Sequence, residues 1–394
     1  MATNLYFSRD TKVYVEVNGG VFEIPVLDGF SFSQANNSTE VVLAEMESSA
    51  GVSKRGRRVF NDSLAPVEWS FSTYVRPFKS AGTNTAGNAN KNSNTFHHAV
   101  EEILWGMMVG PATSATNTLL NYTATSSSAN PALVGFTTDG TDLDITFANS
   151  NKSTLGTANI YFSLDDAGGN PTVYKCSEAV VNEATVDFDI DGIATIQWSG
   201  FASTLTSASK PTRTVFEGLD ATSNYIRNRL TQLTITADDT TTFPGTSSNG
   251  VYNLTLTGGS FTISNNMTFL TPETIGSVNV PLGHVTGARS VSGSFSCYLA
   301  LDTSNNNGTS TDFFADLTTT AARNKVVNKF ATTFKIGGAS AVPRLEVAFP
   351  TAHFEIPTHS VEDVISLETT FQALPSTIDN TNETTLNYRG VAPA

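Results

Sequence analysis

Charge, cysteine and histidine are all scarce in this chain, and each scarcity closes off a class of protein. Only 15% of residues are charged, and 22 basic residues stand against 36 acidic ones, for a net charge of −14 and a pI near 4.7. Such a surface repels nucleic acid and anionic membranes rather than attracting them. Two cysteines, Cys176 and Cys297, imply no disulfide framework and read as thiols buried in a reducing compartment. Five histidines, with no G-x-S-x-G, H-E-x-x-H or P-loop pattern, supply no catalytic constellation. No apolar run approaches the ~18–20 residues needed to cross a bilayer. The opening MATNLYFSRDTK lacks the basic-then-apolar order of a secretory signal. The expectation is a soluble, non-enzymatic protein made in a cytoplasm, with no cofactor and no metal.

What is present is Thr, Ser, Asn, Gly and phenylalanine. An apolar fraction of 39% with 25 Phe argues for a packed core. A composition rich in β-branched, aromatic and turn residues suits strands better than helices. At 394 residues the chain has room for two or three domains, and each half is large enough to fold without a disulfide or metal staple. The strongest internal signal is repetition. GFSFSQANN (29–37) returns as GGSFTISNN (258–266), and WSFSTY (69–74) returns as GSFSCY (293–298). Each copy has a long loop between these two strands and an apolar, helix-like stretch after them.

Residues 12–17 and 21–26 flank Asn18-Gly19-Gly20 and read as a hairpin. A long connection over 38–66 has SKRGRR (53–58) near its tip. Phe96, Val100, Ile103, Leu104, Met107 and Met108 recur at helical spacing over 95–109, with Gly110-Pro111 as the stop. A second, shorter helix is expected near 311–323. These signals divide the chain into a first domain (1–205), a polar linker (206–224), a second domain (225–375) and a C-terminal arm (376–394).

Three features invite chemistry. DFDIDG (187–192) opens like a calcium loop, but Trp198 stands where a bidentate Glu belongs, and Val186, Phe188 and Ile190 keep strand periodicity. A strand with an acidic row fits better. His97 and His98 each precede a Glu by four residues, which reads as a solvated helix face rather than a metal site. SKRGRR, without aromatics to stack bases, is a weak nucleic-acid patch. It reads either as a bare loop tip or as a contact for acidic surface on another copy.

The order of these elements resembles the tail tube (major tail) proteins of long-tailed bacteriophages. The order runs from a β-hairpin through a Phe-Ser-Phe strand with Asn-Asn, a long loop, WSFSTY and an amphipathic helix to ATIQWSGFASTL (194–205). The resemblance implies a mainly β protein of two tandem, related β-sandwich or barrel-forming domains, each with a flanking α-helix and a long loop. It implies chains that join edge to edge in rings, three copies making a pseudo-hexamer, stacked into the tube of a virion tail. Tail tip, baseplate and terminator proteins would be its partners, and double-stranded DNA would pass without specific binding. On that reading Asp187, Asp189 and Asp191 line the lumen, and Lys54, Arg55, Arg57 and Arg58 contact the next ring. The second copy departs from the first in lacking the basic tip and in its shorter helix. Another virion surface protein (a fibre, decoration protein or carbohydrate-binding adhesin) is the alternative, since β-sandwiches host all of these.

Overall fold

The computed structural model describes residues 6–17, 20–41, 58–79, 97–109, 136–138, 141–147, 155–165, 170–213, 224–246, 248–270, 281, 283–300, 307–338, 343–361, 363–378 and 380–391. The first half carries β1 (Lys12–Val17), β2 (Gly20–Ile24), β3 (Ser31–Val41), β4 (Arg58–Tyr74), β5 (Pro77–Lys79), β6 (His97–Ala99) and α1 (Glu102–Val109). It continues with β7 (Phe136–Thr138), β8 (Leu143–Thr146), β9 (Ala158–Leu164), β10 (Thr172–Asp187), β11 (Thr195–Ala202) and β12 (Thr204–Ala208). The second half opens with β13 (Gln232–Ala237), β14 (Val251–Leu254), β15 (Leu256–Ser264), β16 (Thr268–Leu270), β17 (Gly283–Val285) and β18 (Ser290–Tyr298). Helices α2 (Ser310–Leu317) and α3 (Thr320–Arg323) follow, then β19 (Phe330–Ile336), β20 (Arg344–Phe354), β21 (Thr358–Ser360), β22 (Ser366–Leu374) and β23 (Thr385–Arg389).

The two halves repeat one topology of antiparallel pairings. In the first, β2, β1, β9, β10 and β12 pair in that order, while β3, β4, β11 and the C-terminal part of β10 make a second layer. In the second half β14, β13, β19, β20 and β23 repeat the first layer. The second layer is repeated by β15, β18, β22 and β20 with β21. Inward residues alternate along each strand, as a two-layer core requires. Trp69, Trp105 and Trp198 are fully buried, and one apolar cluster runs through both halves. Large and small residues are exchanged between equivalent pairs. Trp69 on β4 faces Gly200 on β11, whereas Gly293 on β18 faces Phe371 on β22. A Cβ at Gly200 would strike the Trp69 ring, and one at Gly293 would strike the Phe371 ring. The volume between the layers is thus kept while its contributor changes strand.

Several elements differ from the sequence expectations. The helix expected over 95–109 is shorter, because His97–Ala99 pairs with β5 and the helix begins at Glu102. Its residues are buried on every side, so His97, His98, Glu101 and Glu102 do not form a solvated face. The long connection over 38–66 is partly strand, since β3 and β4 pair outward as far as Val41 opposite Arg58. Residues 376–394, expected as an extended arm, include β23, which pairs with β20 and β8 and buries Leu386 and Tyr388 completely. This strand is the counterpart of β12, which itself runs into the expected linker at 206–208. Residues 214–223 of that linker lie outside the described residues.

Candidate functional site

The second layers of the two halves are not separate. β10 pairs with β15, placing Glu183 opposite Ser264, Thr185 opposite Thr262 and Asp187 opposite Ser260. One sheet therefore runs β3, β4, β11, β10, β15, β18, β22 and β20 with β21. The junction is closed by side chains as well as by the ladder. Thr185 Oγ1 and Thr262 Oγ1 lie 2.8 Å apart, and Met267 N donates to Asn182 Oδ1 at 2.9 Å. Met267 packs with Leu155 and Val180 of the first half, beside Phe201 and Phe269.

Because side chains alternate across a strand, one face of this sheet is inside the core and the other is outside. The outer face is made of hydroxyls. A single row crosses seven strands as Ser72, Gln197, Thr185, Thr262, Ser292, Gln372 and His353. The neighbouring row contains Tyr74, Thr195, Asp187, Ser260, Ser294 and Thr370. Glu68, Asp187 and Glu368 are exposed on this face and Glu183 is half-buried. None of these outward positions is Lys or Arg. The outer face of the other layer is different in kind, with ion pairs between Lys12 and Glu23 (3.0 Å), Arg213 and Glu23 (3.3 Å), and Lys210 and Asp165 (2.9 Å). Cations and carboxylates mix there, while the outward positions named on the hydroxyl face include carboxylates and no Lys or Arg.

Of the three aspartates singled out from the sequence, Asp187 ends β10 within the hydroxyl face. Asp189 lies just past the strand, beyond buried Phe188, and is exposed, its Oδ1 accepting from Ile190 N at 2.8 Å. Asp191 lies in the turn beyond and accepts from Arg229 Nη2 at 2.6 Å. That pair is about three-quarters exposed on both sides, so it adds little stability. Glu68, Glu183 and Glu368 join Asp187 on this face without belonging to the DFDIDG run. Their signal was the Ser/Thr alternation of WSFSTY, GSFTIS and GSFSCY, which marks the outer face as plainly as the Phe residues mark the inner one. Among the described residues no three His, Cys, Asp or Glu side chains converge as a metal site. Lys54, Arg55 and Arg57 lie outside the described residues. Arg58 begins β4 at the end of a two-stranded ribbon that carries exposed Val59 and Phe60.

A second polar cluster is buried where α1 meets the C-terminal strand. Glu101 accepts from Arg76 N through both carboxylate oxygens at 3.2 Å. Arg76 Nε donates to Asn224 Oδ1 at 3.2 Å, and His98 Nδ1 lies 3.0 Å from Glu102 Oε2. Gly390 N donates to His97 Nδ1 at 2.9 Å, and Trp105 Nε1 donates to the Tyr388 hydroxyl at 2.6 Å. Loss of hydration pushes the Glu101 carboxyl up to about 7, against the pull of its hydrogen bonds and of Arg76. The cluster ties α1 to both the linker end and β23. The thiols of Cys176 and Cys297 are buried and pushed up to about 12, hence unreactive.

Among the described residues no helix is long and apolar enough to cross a membrane. No family model matches the chain. It is 30% identical to the tail tube protein pb6 of Escherichia phage T5, across 98% of its own length and 76% of the relative's. That likeness spans both halves and accords with a mainly β architecture of two repeated units. The chain belongs to the tail tube proteins of bacteriophages.

Proposed function

We propose that copies of this chain close edge to edge into rings that stack as the tail tube, with the hydroxyl face turned to the channel and double-stranded DNA passing along it. The observation that carries this reading is the single sheet running through both halves, whose outer rows, from Ser72 across to His353 and from Tyr74 across to Thr370, have hydroxyls and carboxylates and, among the described side chains, no Lys or Arg. A carboxylate-bearing wall repels phosphates at a distance, and the absence of cations denies the duplex the contacts that supply non-specific affinity. Hydroxyls keep the wall wet.

Sheet width favours three copies. Eight strands at ~4.8 Å spacing span ~38 Å, so three copies give a circumference of ~115 Å and a backbone diameter of ~37 Å before strand tilt. After side chains are allowed for, that channel admits a B-form duplex roughly 20 Å across. Six copies would double the diameter and leave the duplex unguided. Tail tip, baseplate and terminator proteins would bound the stack, and assembly would take place in the host cytoplasm.

Electron microscopy of the purified chain, with its mass in solution, tests the reading. Hollow tubes with three chains per ring are expected. Particles that remain featureless monomers at every concentration would sink it and favour a decoration protein or adhesin.

A further inference from the structure

The sheet that joins the two halves ends in two unequal edges, and the duplication says what each edge is for. Among the described strands, β3 forms a ladder only with β4, and β21 only with β22. Through their shared pairings, β3 is the counterpart of β15, with Ser31, Phe32 and Ser33 in the places of Ser260, Phe261 and Thr262. By the same comparison β21 is the counterpart of the end of β10. Thr358, His359 and Ser360 face Glu368, Leu367 and Ser366 as Thr185, Val186 and Asp187 face Gln197, Ile196 and Thr195. The β10 and β15 edges are already joined within the chain. Among the described strands, their counterparts, β21 and β3, have no second strand paired to them.

We infer that β21 of one copy pairs antiparallel with β3 of a second copy in the register of the internal junction: Ser360 opposite Ser31, His359 opposite Phe32 and Thr358 opposite Ser33. The inference rests on the tube reading and adds to it which edges meet and at which residue. Burial on the two sides of the comparison supports it. Phe261 and Val186 are buried at the internal junction, whereas Phe32 is half-buried and His359 exposed. Phe188, the residue after Asp187, is 2% exposed, while Val361, the residue after Ser360, is 75% exposed. An open edge beside uncovered apolar groups is a template for another strand. A slip of one residue would turn the hydroxyls of β3 into the core face, so register is strongly specified.

Paired cysteines test this. At the internal junction Thr185 and Thr262 touch through their hydroxyls, so Thr358→Cys with Ser33→Cys places two thiols at the equivalent contact between copies. Assembled protein treated with diamide is expected to run in denaturing gels as a ladder ending at the closed ring. Thr185→Cys with Thr262→Cys serves as the internal control, cross-linking without a change of mass. Thr358→Cys with Ser31→Cys, displaced by two residues, is expected to cross-link at least tenfold more slowly. Tubes that form while the Thr358/Ser33 pair stays reduced, or in which the displaced pair reacts faster, would overturn the register and leave the tube reading standing. A wild-type chain that never assembles would overturn both.

Discussion

Asn265 holds the two halves together from the second position past the last junction pair but one: its side-chain amide donates to Met108 O at 3.0 Å, at the end of α1, and to Val181 O at 3.3 Å. The residue is 3% exposed, so both carbonyls depend on protein partners. Asn265→Ala is expected to cost ~1–3 kcal/mol of unfolding free energy, the usual penalty for stranding a buried polar group. Asn36, its repeat counterpart, is exposed at the free edge, and Asn36→Ala should leave the isolated chain's denaturation midpoint within error of wild type. Equal midpoints for wild type and Asn265→Ala would remove the clasp.

Glu101 gives stability a pH dependence of definite sign. Its folded carboxyl, at about 7, lies above the unfolded value of 4.5, so the native state binds the proton more tightly. That stabilisation is complete below about pH 4.5 and is lost as pH rises through 7, by up to ~1.4 kcal/mol per unit in the window. Glu101→Gln keeps an oxygen for Arg76 N and has no proton to lose. The variant's stability minus that of wild type should therefore rise from pH 5 to pH 7.5 in chemical denaturation. A flat difference would place the ionisation elsewhere.

Charge reversal on the hydroxyl face separates passage from assembly. Asp187→Lys combined with Glu183→Lys adds cations beside the internal junction without touching the buried alternation of Ala184 and Val186. Tubes should form normally while DNA ejection slows, and the slowing should lessen as salt is raised. Unchanged ejection kinetics in low salt would take these side chains out of the channel.

The β3–β4 ribbon is expected to reach the adjacent ring. Its exposed Val59 and Phe60 have no core of their own, and an isolated two-stranded ribbon is marginal in water. Replacing Lys54, Arg55, Arg57 and Arg58 with Ser should shorten tubes, since weak pairs repeated around a ring add up. Phe60→Ser should do the same by removing apolar contact, with thermal unfolding of the single chain unchanged. Tubes of wild-type length from both variants would detach the ribbon from stacking.

Truncation after Pro375 should abolish folding of the second half rather than trim a tail. It deletes Leu386 and Tyr388 from the core and the Tyr388 partner of Trp105. Loss of large buried side chains costs about 2–5 kcal/mol each, beyond what a marginally stable domain can spare. A truncated chain that unfolds with wild-type cooperativity would contradict the placement of β23.

Much of the architecture was legible because it is written twice. The Phe/Ser alternation of 29–37 and 258–266 shows which residues point inward on β3 and β15, since the two-residue period of a strand is a local property. The end of the second half is less legible for an equally physical reason. STIDNTNETTLNYRG is polar on average, and two side chains, Leu386 and Tyr388, decide that it is a strand once β20 and β8 offer edges on either side. His97, His98, Glu101 and Glu102 misled in the opposite direction. Their i,i+4 spacing suits a solvated helix, and contacts from distant segments, among them Arg76 to Glu101, Gly390 to His97 and Tyr388 to Trp105, go with their burial.

The sequence alone determined the repeated unit, the strand faces and the poverty of positive charge, because composition and two-residue periodicity act between neighbours in the chain. Tertiary structure decided which edges are satisfied and which are left open. Glu183 and Ser264 are far apart in sequence yet share a ladder, and pairing of that kind depends on where the folded halves bring their edges. The same geometry leaves β3 and β21 open at opposite ends of one sheet, where a chain that has already joined its own halves can join another.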